Sequence, residues 1–247
     1  SDSFFYIAEE NAEKNLNPME GYIQENSVFF SKTDKKLICV HRETQGFITG
    51  TSEWLETRGI SCVHHVCPAQ STTYERFSRI LRHKSISLVL SGGGLLGMAH
   101  IGAIRAICEA GIEIDAVSGV SCGAVIAALY ALHLDEKLLD SMIERIIKRR
   151  KKFRFFMWQV PLISLLKPYY TKKIFYELFR EAKIEDLWIP FVCVACNLST
   201  TEDSIFDQGS LVDAVLASNS LPGVLSPTLI NGQLYIDGGV SNTMPVD

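Results

Sequence analysis

Short β-prone runs and helical stripes succeed one another along the chain. Residues 36–41 (KLICVH) are mostly apolar and predict a strand. Residues 51–58 predict a helix capped by Thr51 or Ser52. Residues 60–66 are again β-prone, and Tyr74, Phe77, Ile80 and Leu81 recur at helical spacing across residues 72–81. A second strand–loop–helix series follows. The strand at residues 85–90 (SISLVL) runs into Gly92-Gly93-Gly94, and a helix over residues 98–110 ends at Gly111. A strand at residues 114–117 leads to Gly119-Val120-Ser121-Cys122-Gly123 and a helix of small residues reaching Leu132. Strand–loop–helix in tandem is the pattern of a parallel sheet with covering helices.

Farther on, residues 138–148 and 171–182 predict helices, residues 191–198 (FVCVACNL) a strand, and residues 211–217 a short helix. Asn231-Gly232 between two β-prone runs predicts a hairpin with a type I′ turn. Residues 1–35 are polar with weak periodicity and read as a linker or loosely structured lead-in. Residues 36–84 read as an α/β extension ahead of the glycine-rich motifs. No internal repeat or low-complexity tract is visible.

Composition narrows the class. The 247 residues are 47% hydrophobic and 21% charged, ample for a buried core. A net charge of −4 gives no global attraction to nucleic acid. The seven cysteines are odd in number and make no secreted disulfide framework. The polar, acidic start is no signal peptide, so a reduced, intracellular setting is expected. The chain opens with Ser1 rather than Met, which suggests a fragment with a segment upstream. No apolar run reaches the roughly 18–20 residues that span a bilayer; the longest, residues 124–132, reads as a buried helix. Membrane contact by this segment is therefore expected to be peripheral.

Gly119-x-Ser121-x-Gly123 is a G-x-S-x-G pentapeptide between a predicted strand and helix. A serine at such a turn is exposed, and the flanking glycines admit close backbone. The following helix directs its positive end toward it. A packing turn is the alternative. Gly92-Gly93-Gly94-Leu95-Leu96-Gly97 also joins a strand to a helix. Its amides suit a phosphate, the oxyanion of acyl transfer, or simply a tight turn. No Gly-Lys-Ser/Thr follows as a Walker loop requires, and no acidic residue closes a clear second strand at the distance a dinucleotide fold requires, Asp115 being a weak candidate.

A nucleophilic serine needs a proton acceptor. The one histidine after Ser121 is His133, far along the same predicted helix, so a Ser-His-Asp triad is not expected. Asp237-Gly238-Gly239 follows the predicted hairpin, and there a buried Asp237 could act as base or be a turn aspartate. Other clusters carry less. Cys62, His64, His65 and Cys67 alternate faces of one strand and read as structural, as do Cys193 and Cys196. The basic run Lys148-Arg149-Arg150-Lys151-Lys152 leads to an aromatic group ending at Trp158; it reads as a membrane-surface contact or as a solvated helix end.

In combination, Gly92-Gly93-Gly94-x-x-Gly97, Gly119-x-Ser121-x-Gly123 and Asp237-Gly238-Gly239 resemble the three signatures of patatin-like phospholipases, in the same order. Met98 to Gly102, Ala217-Ser218 through Pro222-Gly223, and Asn242 through Pro245 are similar to the same family. The strand ending in His41-Arg42, the pair Trp54-Leu55 and the His64-His65 strand resemble what precedes the catalytic domain in the neuropathy target esterase branch.

The resemblance implies an α/β fold, a three-layer α/β/α arrangement on a mainly parallel central sheet, with residues 85–247 as the catalytic domain. It implies Ser121 as nucleophile, Asp237 as base and the amides of Gly92, Gly93 and Gly94 as oxyanion donors, with Gly97, Gly119, Gly123, Gly238 and Gly239 supporting the turns. It implies no metal and no cofactor. It implies a lipid acyl-ester hydrolase acting on phospholipid or lysophospholipid, intracellular and membrane-associated, at the endoplasmic reticulum or another endomembrane, with any anchor outside this segment. A non-catalytic lipid-binding module and a lipid transacylase are the alternatives. Two departures stand out. Leu96 occupies a position where the family often has Arg or Lys, and the chain stops at Asp247, where further strands and helices are expected.

Overall fold

The computed structural model describes residues 3–9, 12–25, 34–43, 48–60, 62–132 and 164–246. The first part of the chain builds a parallel sheet of β1 (Ser3–Glu9), β2 (Asp34–Val40) and β3 (Cys62–Val66) in that order. Helices α1 (Pro18–Glu25), α2 (Thr51–Arg58) and α3 (Ser71–Leu81) follow the three strands in turn. Within residues 1–35, expected to be a linker or loosely structured, the described residues include the regular elements β1 and α1. Alternation explains β1: Tyr6 and Ala8 turn inward to pack with Leu37, Cys39, Trp54 and Leu55, while Ile7 faces solvent.

The expected cap of α2 is also different. Gly50 occupies the cap position with φ 82°, and the Thr51 N–H donates to Asp186 Oδ1 at 3.1 Å. The carboxylate that satisfies this helix end thus comes from the other half of the chain. The same seam holds further bonds. His65 Nε2 lies 2.8 Å from the Glu185 carbonyl, and His65 Nδ1 lies 2.9 Å from His41 Nε2. A carbonyl only accepts, so His65 carries its proton on Nε2 and accepts from His41. Burial pushes the His65 imidazole down to about 3, which keeps His65 neutral. Arg76 donates to the Trp188 carbonyl at 3.0 Å. Arg79 grips Asp115 with bonds of 2.7–3.0 Å, and Asp115 also accepts the Ile86 N–H at 3.0 Å. Asp115 is completely buried, and breaking a buried ion pair by removing one partner costs about 3–5 kcal/mol.

The second sheet has six strands: β4 (Ser87–Leu90), β5 (Ala116–Val120), β6 (Phe191–Asn197), β7 (Asp203–Phe206), β8 (Thr228–Ile230) and β9 (Gln233–Asp237). The fold is α/β. Strands β4, β5, β6 and β8 share one direction, and β7 and β9 run against them. Helices α4 (Ala99–Glu109), α5 (Cys122–Ala131), α6 (Pro168–Phe179) and α7 (Leu211–Ser218) accompany the strands. Helix α5 is short of bulk. Ala124, Ala127, Ala128 and Ala131 are completely buried, so it sits close against β4, β5 and β6. Leu129, Phe179, Val212 and Val215 fill the core around it. The hairpin forms as expected, with Asn231 and Gly232 both at positive φ (49° and 79°), as a type I′ turn demands.

Register brings two distant segments together. Strand β7 pairs with residues 193–196 of β6 and so occupies one edge of that strand. Strand β5 pairs with residues 191–194 and β9 with residues 195–197, so both must lie on the opposite edge. They arrive from opposite directions and meet end to end. Val120 lies opposite Val194, and Asp237 lies opposite Ala195. The residue after Val120 is therefore driven against Asp237. The predicted helix at residues 138–148, His133 and the basic run from Lys148 to Trp158 lie outside the described residues.

Candidate active site

Ser121 occupies the step between β5 and α5 with φ 55° and ψ −125°. A positive φ costs a non-glycine residue of order 1–3 kcal/mol and persists only where its surroundings enforce it. Its neighbours explain the need for glycine. A Cβ on Gly123 would lie 2.1 Å from the Leu90 carbonyl oxygen, and one on Gly119 would lie 2.5 Å from the Gly123 carbonyl carbon. The turn is thus packed directly on the end of β4. Gly97 is likewise crowded by Cys122, and Gly238 by the Val194 carbonyl oxygen.

The structure brings Ser121 and Asp237 together. Ser121 Oγ donates to Asp237 Oδ2 at 2.7 Å, and the Gly239 N–H donates to Oδ1 at 2.8 Å. Asp237 is 3% exposed. Burial raises its pKa above the ordinary aspartate value, and the bonds from Ser121 and Gly239 pull in the other direction without cancelling the rise.

The glycine loop is placed beside them, with one difference from expectation. Gly92 donates its N–H to the Thr243 carbonyl at 3.1 Å. That amide is occupied, so of the three expected oxyanion donors only Gly93 and Gly94 keep N–H groups without an acceptor among the described residues. Gly92, Gly93, Gly94, Ser121 and Asp237 all line one pocket of about 570 Å³. Its remaining walls are largely apolar. Helix α6 contributes Thr171, Ile174, Phe175 and Leu178, an i, i+3, i+4, i+7 stripe. Leu166 and Leu225 close another side, where the Leu166 N–H donates to the Val224 carbonyl at 3.0 Å. A hydroxyl bonded to a buried carboxylate, next to open amides and an apolar cavity, is an arrangement suited to acyl transfer. Among the described residues, no group of three or more His, Cys, Asp or Glu side chains could hold a metal ion.

Residues 88–247 match the family described as Patatin-like phospholipase. This chain belongs to that family. The human Patatin-like phospholipase domain-containing protein 6 is 29% identical over 280 residues, covering all of this chain and 20% of its own length. The Drosophila melanogaster protein Neuropathy target esterase sws is 35% identical over 187 residues, covering 73% of this chain and 13% of its own. Lysophospholipase NTE1 of Pyricularia oryzae is 36% identical over 175 residues, covering 70% of this chain and 12% of its own. These relatives place the chain in the neuropathy target esterase branch of the patatin-like phospholipases. The chain spans about a fifth or less of the length of these relatives.

Within this patatin-like chain, motif reading missed Ser218, Asn219, Ser220 and Thr243 as parts of the site. The stretch from Ala217 carried a family likeness but no role. The bonds that reveal one join residues nearly a hundred positions apart. Leu96 is 84% exposed and does not line the pocket.

Proposed function

We propose that this chain hydrolyses lipid acyl esters, lysophospholipids foremost, through an acyl-serine intermediate. The observation that carries the reading is the 2.7 Å bond from Ser121 Oγ to Asp237 Oδ2 inside an apolar pocket. Asp237 takes the serine proton as Oγ attacks the ester carbonyl carbon. The oxygen that becomes negative is met by the Gly93 and Gly94 N–H groups. The C–O bond to the leaving alcohol breaks, and that alcohol receives the proton from Asp237. A water molecule then gives its proton to Asp237, attacks the acyl carbon and releases the fatty acid, and the proton returns to Ser121. No metal or cofactor takes part in this scheme.

The substrate class draws on the pocket and on the relatives. A cavity of about 570 Å³ with apolar walls accepts a hydrocarbon chain and leaves a polar headgroup outside. One similar protein bears the name lysophospholipase. Leu95, Leu221 and Val240 line the pocket and are also exposed, which suits work at an intracellular membrane surface. No helix among the described residues is long and apolar enough to cross a membrane.

The test is turnover of lysophosphatidylcholine micelles in oxygen-labelled water. Hydrolysis is expected to release free fatty acid carrying one labelled oxygen. Acyl transfer to a lipid alcohol, without labelled acid, would contradict hydrolysis in favour of transacylation. No acyl release by well-folded protein would favour a non-catalytic lipid-binding role.

A further inference from the structure

Three consecutive residues at the end of α7 touch both members of the Ser121–Asp237 pair. Ser218 Oγ accepts the Ser121 N–H at 2.9 Å and donates to the Val194 carbonyl at 2.7 Å. Asn219 Nδ2 donates to the Ser121 carbonyl at 2.9 Å and to the Val215 carbonyl at 2.8 Å. The Ser220 carbonyl accepts the Asp237 N–H at 3.0 Å. Ser218 and Ser220 are completely buried.

These residue types fit the task. A hydroxyl can accept from one backbone group and donate to another at once, and serine is small enough to lie between β6 and the serine turn. A primary amide has two N–H groups for two carbonyls. Together they hold the peptide groups on both sides of the Ser121 Cα. That is where a residue at φ 55° needs restraint, since nothing intrinsic to serine favours that conformation.

We propose that Ser218 and Asn219 are positioning residues for Ser121. They fix its strained backbone and, with the Ser220 carbonyl on Asp237, set the hydroxyl at proton-transfer distance from the carboxylate. Neither side chain takes part in bond making. The proposal rests on the acyl-serine reading of Ser121 given above. It adds that a buried clamp on the end of one helix keeps the pair in register.

The test compares Ser218→Ala and Asn219→Ala with Thr73→Ala in the intact protein. Thr73 is an equally buried hydroxyl whose Oγ1 accepts the Cys67 N–H and donates to the Cys67 carbonyl, within the N-terminal part. It controls for loss of a buried hydrogen-bonding side chain alone. Two rates are read, kcat on a soluble short-chain ester and the labelling rate with a fluorophosphonate. A misplacement of about 1 Å lowers such rates about 10²-fold, so both variants should lose up to that factor in kcat and labelling. In Ser218→Ala, KM should stay within about twofold, because Ser218 does not line the acyl pocket, whereas Asn219 does. Thr73→Ala should lower the melting temperature comparably while leaving both rates near wild type. Wild-type rates in both clamp variants, a rise in KM alone in Ser218→Ala, or an equal rate loss in Thr73→Ala would overturn the clamp. Wild-type protein that neither labels nor turns over ester would overturn the acyl-serine reading and the clamp together.

Discussion

Replacing Asp237 with Asn is expected to lower lipid-ester turnover by about 10⁴-fold, the upper range for loss of a general base. The amide has nearly the same shape, so the pocket and the fold should persist. It cannot take the Ser121 proton at any accessible pH. The pH profile sharpens the expectation. Burial raises the Asp237 carboxyl above its ordinary value of 3.8, and only the ionised form can act as base. The rate kcat/KM should therefore fall as pH drops through a value above 3.8, and this acidic limb should vanish from the residual rate of Asp237→Asn. Steady-state kinetics from acid to neutral pH, with circular dichroism to confirm folding, make the comparison. An unchanged limb in the variant would assign it to another group.

Ser121→Ala should have the larger effect, about 10⁶-fold in kcat, because it removes the covalent route altogether. The glycine amides and pocket would remain and could still bind substrate. Binding of a non-hydrolysable lysolipid ether, measured by calorimetry, should consequently survive within a few-fold while turnover is lost. Loss of binding and turnover together would mean that the substitution disrupts the pocket. The strain at φ 55° gives a reason to expect otherwise, since alanine relieves no clash and is gripped by the same backbone bonds from Ser218 and Asn219.

Much of this site was legible because its signals are local. G-x-S-x-G between a strand and a small-residue helix needs only a few neighbouring positions, and so does Asn231-Gly232 between β-prone runs. Both fold as the local turns they predict, although β5 begins at Ala116 rather than Ile114. Strand β7 was missed because Asp203–Phe206 gives too short an alternation to register. Strand β1 was not legible because the alternation that buries Tyr6 and Ala8 is short and polar residues adjoin it in the sequence.

Long-range polar contacts were illegible in principle. Nothing near Thr51 announces that Asp186 will satisfy its N–H, and nothing near Gly92 announces the Thr243 carbonyl. The second contact bears on the proposed mechanism, because it occupies one of the three amides that motif order makes look equivalent. The meeting of Ser121 with Asp237 has the same character. It follows from β5 and β9 sharing one edge of β6, a consequence of register that motif order alone does not contain.

Peptide mapping of the intact protein after reaction with a fluorophosphonate tests the central claim most directly. One adduct per chain is expected, on the Ser121 oxygen, with its formation strongly slowed in Asp237→Asn. Folded protein that takes up no label, or takes it on another side chain such as Cys122, would contradict the account.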